Sequence, residues 1–375
     1  MQYTEALNSD FRLPVVGLGT MGFGGYFKGD KSNWSKSISL LDAAHEYGIK
    51  VIDTAELYGE GNAEKIIGSI DSHKKNDLFI MSKFSPHRCS KKDILKALDA
   101  TLVRLGRDWV DVYQPHWPNP KIKIDETLEC LTELRNAGKI RFIGVSNFNS
   151  SSLPSKPTDF YEIPRFFQCE FNPLEQIGYK NLTEQIKISD GVIIGYSPFR
   201  EGQIFQHENH CKLIDHAEEI GVTAGQLVLA WIIKHDNIIT IPKCSSIKRL
   251  AENFSAMDIH LGDKSFEYIS SLFKVQVSNI LPSDIIPFDA KNSDDRLVYR
   301  TLDDAIQNQY LLSPSPKEIA EEIEQNNGNL NKPIKVRVNQ NGTLTLIEGR
   351  LRYWGWLILY GPNKPIPTIV TQGAK

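Results

Sequence analysis

Cysteine is scarce and scattered in this chain. Its five copies, Cys89, Cys130, Cys169, Cys211 and Cys244, form no CxxC pair and stand at no cysteine/histidine ligand spacing. An odd number spread this widely argues against a disulfide framework or a structural zinc site, and it fits a reducing cytoplasm. A charge of one sign is lacking too, since 43 Lys+Arg face 46 Asp+Glu for a net charge of -3. That balance exerts no global pull toward nucleic acid or an acidic membrane surface and favours small or neutral partners. Long apolar runs are absent: MQYTEALNSDFRLP at the start has no signal-like apolar core, and WLILY near the end falls far short of the roughly 20 residues that span a bilayer. There is no internal repeat and no low-complexity tract. The expectation is a soluble cytoplasmic protein with no metal, no membrane and no DNA partner.

What is present is a regular alternation. At 375 residues the chain has room for one large barrel-type domain plus an appendage, or for two domains. From residue 13 to about 255, short apolar runs alternate with segments of helical period, the signature of βα units and a parallel sheet. The runs are LPVVGLG (13–19), KVIDT (50–54), LFIMS (78–82), WVDVYQ (109–114), IRFIGVS (140–146), FFQCEF (166–171), VIIGYS (192–197) and NIITIP (237–242). Helix candidates between them include KSISLLDAAHEYG, KKDILKALDATLVRLG, DETLECLTELRNAG and AGQLVLAWIIKH, several closed by a glycine suited to a left-handed C-cap. Eight such units close most naturally into an α/β fold of the (β/α)8 TIM-barrel type.

GLGTMG, with Gly17, Gly19 and Gly22, formally matches the dinucleotide fingerprint of an open doubly wound sheet. That fold also wants a helix starting at the glycines and an acid about 20 residues on. Here FGGYFKGDKSNW intervenes, which favours the barrel.

In a (β/α)8 barrel the chemistry lies on the loops that follow the strands. Asp53 and Tyr58 follow the second run, Lys83 the third and His116 the fourth; Ser146 and Asn147 follow the fifth, Gln168 lies in the sixth, Tyr196 and Ser197 in the seventh, and Lys243 follows the eighth. Each alone has a structural explanation, but polar and titratable groups converging at one barrel mouth point to a site. Tyrosine, with a pKa of about 10, needs tuning to exchange a proton near neutrality, and a nearby ammonium supplies the roughly 3–4 kcal/mol required. Tyr58 as acid, Lys83 as its tuner, Asp53 as orienter of Lys83 and His116 as positioner suit protonation of a carbonyl oxygen. The hydride for its carbon must come from a cofactor.

VIDTAELYGEGNAE, MSKFSP, DVYQPHWP, IGVSNF, QCEFNP, GYSPF and IPKCSSIKRLAENF stand in the order and at the spacings of the aldo-keto reductase family, which the chain resembles over residues ~11–275. The resemblance implies that Asp53, Tyr58, Lys83 and His116 form the catalytic set, with Tyr58 as proton donor. It implies that Ser146, Asn147 and Gln168 hold the nicotinamide carboxamide, that Tyr196 stacks on the ring, and that Gly19, Thr20, Met21 and Ser197 also meet the cofactor. Lys243 and Arg249 would lie near the adenosine 2′-phosphate, with Glu252 and Asn253 near the adenine. Two cations suit NADPH better than NADH, which stays the alternative. Cys244 replaces a common serine there, and a thiol is a weak donor. The loop FREGQIF (199–205) also departs from the family's Leu/Gly-rich form and brings Arg200 and Glu201 toward the diphosphate or the rim. Phe23, Tyr26, Trp117 and Phe148 are the expected lining for a small carbonyl substrate.

After KSFEYISSLF the pattern changes. VSNILPSDIIPFDAKNSDD is rich in Pro, Asp, Ser and Asn and is expected to be a boundary or linker, dividing the chain into 1–275 and 276–375. A helix SPKEIAEEIEQNN, a hairpin KPIKVRVNQNGTLTLIEG turning at Asn341-Gly342, a helix RLRYWGWLILYG and a strand IPTIV then predict a small α+β domain. Residues 332–370 resemble a ParB/sulfiredoxin-like domain, which implies a nucleotide phosphate or other anion at Gly349, Arg350 and Arg352, where a helix N-terminus offers free N–H groups. Solvation of a buried helix by the two arginines is the structural alternative. From residue 276 onward eleven basic residues balance eleven acidic ones, so no DNA-binding face is expected. A cofactor-sensing regulatory or scaffolding protein, or a separate nucleotide-processing activity of the C-terminal domain, are the competing functional readings.

Overall fold

The computed structural model describes residues 2–4, 12–119, 121–274, 277–287, 299–309, 314–326, 328–330, 332–339 and 341–372. Two compact units divide the chain, Met1–Lys274 and Val275–Lys375.

The first unit is a curled sheet of eight parallel strands in sequential order. They are β1 (Leu18–Gly19), β2 (Val51–Asp53), β3 (Phe79–Phe84), β4 (Val110–Pro115), β5 (Ile140–Ser146), β6 (Phe166–Glu170), β7 (Val192–Tyr196) and β8 (Ile238–Thr240). Parallel bridges Val16↔Thr240 and Gly19↔Lys243 bring the last strand back onto the first, so the sheet closes. This closure decides against the open sheet. It also explains the glycines of GLGTMG: a Cβ on Gly19 would sit 2.8 Å from the Ile241 carbonyl oxygen, and one on Gly17 would sit 2.8 Å from that of Val51. They let β1 approach both neighbours at the seam.

Two apolar layers hold this unit. Leu13, Val51, Phe79, Met81, Val112, Phe166, Val192, Ile194, Ile239 and Ile241 form one cluster inside the barrel. Side chains of opposite parity, such as Ile52, Ile80, Phe167 and Ile193, pack outward among residues of the surrounding helices. The helices begin and end where their caps allow. Ser90 accepts from Asp93 N to open Lys91–Leu105, and Gly106, at φ 59°, closes it in the left-handed region. Thr223 and Gln226 form a reciprocal capping box on Ala224–Ile233. No helix among the described residues is long and apolar enough to cross a membrane.

The second unit is a mixed five-stranded sheet in the order β10-β12-β11-β13-β9. Its strands are β9 (Val277–Ile280), β10 (Ile285–Ile286), β11 (Ile334–Val338), β12 (Leu344–Glu348) and β13 (Ile366–Gln372). Helices Leu302–Ile306, Pro316–Gln325 and Arg350–Tyr360 accompany it, and Tyr353, Trp354 and Trp356 join Ile334, Val336 and Ile366 in its core. The expected linker is corrected here. VSNI and II are edge strands of this sheet, pairing with β13 and β12. Short edge strands tolerate the flanking Pro, Asp and Ser that suggested a connection. The rest of that stretch, residues 288–298, lies outside the described residues, as does residue 340 beside the expected Asn341-Gly342 turn.

Candidate active site

Strand parity assembles the site. Counting by twos from the barrel's interior residues, Val51 leads to Asp53, Met81 to Lys83, Val112 to Gln114, Phe166 to Gln168 and Ile194 to Tyr196. These five of the eight strands thus carry their inward-facing rows to a polar group at the mouth.

Lys83 is the hub. Its Nζ donates to Asp53 Oδ1 at 2.7 Å, to Asp53 Oδ2 at 2.8 Å and to the Thr54 carbonyl at 2.9 Å, and lies 3.4 Å from Tyr58 Oη. Thr20 holds the other side of Asp53, donating both its N–H and its hydroxyl to the Asp53 carbonyl. Tyr58 begins a tight turn in which Gly59 and Glu60 adopt φ of 56° and 55°, which returns the chain over the mouth. His116 meets the Tyr58 ring edge-on at 5.6 Å and stacks on Trp117 at 3.9 Å. Its Nδ1 is buried without a hydrogen-bond partner among the described residues.

The electrostatics correct one expectation. Burial, and then the Asp53 carboxylate, push the Tyr58 phenol well above its usual pKa, where the sequence suggested depression by Lys83. Lys83 is already committed to Asp53, so the pair presents Tyr58 with little net positive charge. Burial likewise raises the Asp53 carboxyl and lowers the Lys83 ammonium, each opposed by its partner. Burial and the Lys83 charge push the His116 imidazole down to about 2, so it is neutral.

Beyond this group, Tyr196 donates its hydroxyl to Asn147 Oδ1 at 2.8 Å, and Asn147 Nδ2 donates to Ser146 Oγ and to the His116 carbonyl, both at 3.1 Å. Ser197 takes φ 52°, and its carbonyl accepts from Asn172 Nδ2. Across the seam, Lys243 Nζ donates to Tyr26 Oη at 2.5 Å. Asn253 Nδ2 donates to Cys244 Sγ at 3.3 Å, and Glu252 accepts the Thr223 hydroxyl at 2.6 Å. Arg249 is exposed on the first turn of helix Ile247–Ser255. Of the expected lining, Tyr26 and Trp117 are exposed and Phe148 is half-buried, whereas Phe23 is buried in the outer core; Met21 packs on that same core.

The model of the aldo/keto reductase family matches residues 15–274. The chain belongs to this family. The methylglyoxal reductase YeaE of Escherichia coli is 27% identical over 273 residues, 71% of this chain and 93% of the relative. The glyoxal reductase of Bacillus subtilis is 31% identical over 271 residues, 72% of this chain and 93% of the relative. Among solved structures, an aldo/keto reductase from Klebsiella pneumoniae in complex with NADP and acetate superposes with a TM-score of 0.65 at 28% identity, covering 72% of this chain and 95% of that one.

Sequence reasoning missed two buried participants in this aldo/keto reductase unit. Glu56 accepts from Ser85 N and from Arg88, both at 2.7 Å, and so ties the loop after β2 to the loop after β3. Gln114 donates to Gln168 Oε1 at 2.7 Å, and Gln168 Nε2 donates to Asp53 Oδ1 at 3.0 Å. The inward parity of β4 was the available signal for Gln114.

The family match ends before the second unit. There Gly349, at φ 92°, precedes helix Arg350–Tyr360. Arg352 turns back to donate to the Lys332 carbonyl at 2.8 Å and lies 3.7 Å from Glu348, which also pairs with Lys335 at 3.1 Å. Arg350 Nε is buried without a hydrogen-bond partner among the described residues. Arg352 thus braces the strand end that precedes its own helix.

Proposed function

We propose that the chain is an NADP-dependent oxidoreductase that reduces an aldehyde or ketone to an alcohol, with Tyr58 as proton donor. The observation that carries this reading is Lys83, buried between Asp53 and Tyr58 beside a neutral His116. The chemistry of the donor set suits the cofactor: Ser146, Asn147 and Gln168 combine hydroxyl and amide groups that match the donors and acceptors of a carboxamide. Lys243 and Arg249 would meet the 2′-phosphate, and Tyr196 would lie against the ring. Reduced nicotinamide, when bound, supplies hydride to the carbonyl carbon.

The protein's own part is proton and charge management. The raised pKa keeps Tyr58 neutral and loaded with its proton at working pH. As hydride reaches the carbon, the C=O π pair moves to oxygen and takes the Tyr58 proton. The phenolate left behind is the species that Lys83 stabilises, at 3.4 Å in a site of low dielectric. His116, neutral, is suited to donate a hydrogen bond that orients the substrate oxygen without adding charge. Exposed Trp117 and Tyr26 with half-buried Phe148 would line the approach.

NADPH oxidation measured against an aldehyde and ketone panel tests this, with the substrates named for the two reductase relatives, methylglyoxal and glyoxal, placed first. Wild type is expected to turn over and Tyr58→Phe to lose roughly 10²–10⁴ in kcat, the usual reach of general acid catalysis. Equal turnover by the two would remove Tyr58 from the chemistry.

For the second unit we propose a ParB/sulfiredoxin-like fold, supported by the succession of a strand pair, the Gly349 turn, a helix and β13. The engagement of Arg352 with Lys332 and Glu348 favours its structural role over a nucleotide site.

A further inference from the structure

Gln114 is fully buried on β4, two residues before His116. Its amide opens a hydrogen-bond chain that runs through Gln168 and Asp53 to Lys83 and Tyr58. We propose that Gln114 is a positioning residue that holds the Gln168 carboxamide, and through it Asp53, in the one polarity the site can use; this rests on the reductase function proposed above.

The polarity follows from charge. An ionised carboxylate only accepts, so Gln168 must turn its Nε2 to Asp53, which leaves its Oε1 facing β4. Only a donor can satisfy that oxygen, and Gln114 Nε2 is there at 2.7 Å. Reversing either amide would set carbonyl oxygen against carboxylate or against another carbonyl oxygen. With Gln114 in place, Gln168 keeps one N–H and one acceptor lone pair for the cofactor carboxamide, in a fixed orientation. Without it, the Gln168 amide has one anchor and swings about it.

Two observations set this apart from ordinary packing. Gln114 reaches β6 by passing β5 at Gly144, where a Cβ would lie 2.8 Å from Gln114 Oε1. The neighbouring strand thus leaves space for the reach. Among the described residues Gln114 Oε1 itself is buried with no hydrogen-bond partner. Leaving a buried acceptor unmet is unfavourable, and an apolar side chain of similar length would fill the same volume without that cost. The donor end is what an apolar residue could not supply.

The test compares NADPH affinity by fluorescence titration, and kcat, from about pH 6 to about pH 9 in wild type, Gln114→Met, Gln114→Glu and Tyr58→Phe. Gln114→Met keeps volume and removes the N–H; NADPH affinity and kcat are each expected to fall roughly tenfold. Gln114→Glu is isosteric, and its introduced carboxyl, raised by burial, donates to Gln168 only while protonated. Its NADPH affinity should therefore approach wild type near pH 6 and fall roughly tenfold by pH 9, a slope absent from wild type. Should Gln114→Met fail to fold, the pH slope of Gln114→Glu decides alone. Values within twofold of wild type at every pH, or a loss in Gln114→Glu that does not vary with pH, overturn the proposal. Failure of the underlying function looks different: wild type itself would show no NADPH-linked turnover, or Tyr58→Phe would equal it.

Discussion

Lys83 Nζ lies 2.7 and 2.8 Å from the two carboxylate oxygens of Asp53 and 3.4 Å from Tyr58 Oη, so the cation serves its counter-ion first and the phenol second. Both charged groups are almost wholly buried, at 1% and 2% exposure. Removing one member strands the other charge away from water, at a cost of about 3–5 kcal/mol. Lys83→Met and Asp53→Asn are each expected to lose stability on that scale, and the double variant much less than their sum. Urea denaturation of the four proteins gives the coupling; strict additivity would mean that the pair contributes no interaction energy.

His116 should leave a signature in acid. Its folded value of about 2 lies below the unfolded value of about 6.5, so the stability it contributes is complete above about pH 6.5 and is lost as pH falls. The slope for one group is about 1.4 kcal/mol per pH unit, because the unfolded state takes up the proton that the buried imidazole refuses. Between about pH 6 and pH 4, His116→Gln is expected to have a stability curve flatter than wild type by that amount. Parallel curves would show that His116 is protonated in the folded state.

The eight barrel strands were legible because burial on both faces makes them short, nearly continuous apolar runs between segments of helical period. The interior row Val51, Met81, Val112, Phe166 and Ile194 alternates with an outer row, and continuing the inner row places Asp53, Lys83, Gln168 and Tyr196 at the mouth. Two kinds of information were not legible. The direction of the Tyr58 shift depends on how far Asp53 neutralises Lys83 and how deeply the phenol is buried, and both are set by distances. The role of Gln114 depends on Gly144 being on the next strand, a juxtaposition that exists only after the sheet closes. In the second unit, β9 and β10 are too short and too exposed on their edges to show a period above the noise of Pro, Asp and Ser around them.

The division of the chain after Lys274 can be checked by truncation. The barrel unit has its own interior and outer cores, and the later unit has its own around Trp354 and Trp356. A chain ending at Lys274 is therefore expected to fold, to melt in one transition and to keep kcat/KM for the best carbonyl substrate within twofold of the full chain. A truncated chain that is unfolded by circular dichroism would place the boundary elsewhere.

The proposed placement of the cofactor's 2′-phosphate beside Lys243 and Arg249 can be tested at Cys244. Its thiol is buried, pushed up to about 11, and engaged by Asn253 Nδ2 at 3.3 Å, so it is neutral and a poor donor to an anion at neutral pH. Lys243 and Arg249 flank it in sequence and would supply the charge that selects a 2′-phosphate. Cys244→Ser introduces a stronger donor of similar size, and a hydrogen bond to a charged phosphate oxygen shifts binding by roughly tenfold or more. The ratio of kcat/KM for NADPH over NADH is expected to rise by about that factor in Cys244→Ser and to fall in Arg249→Ala. Because NADH lacks the phosphate, its own kcat/KM should move little in either variant, which separates recognition of the anion from a general change in the site. If the ratio is unmoved by both substitutions, the 2′-phosphate is held by other residues, and the assignment of this strand-to-helix turn to the adenosine end of the cofactor fails.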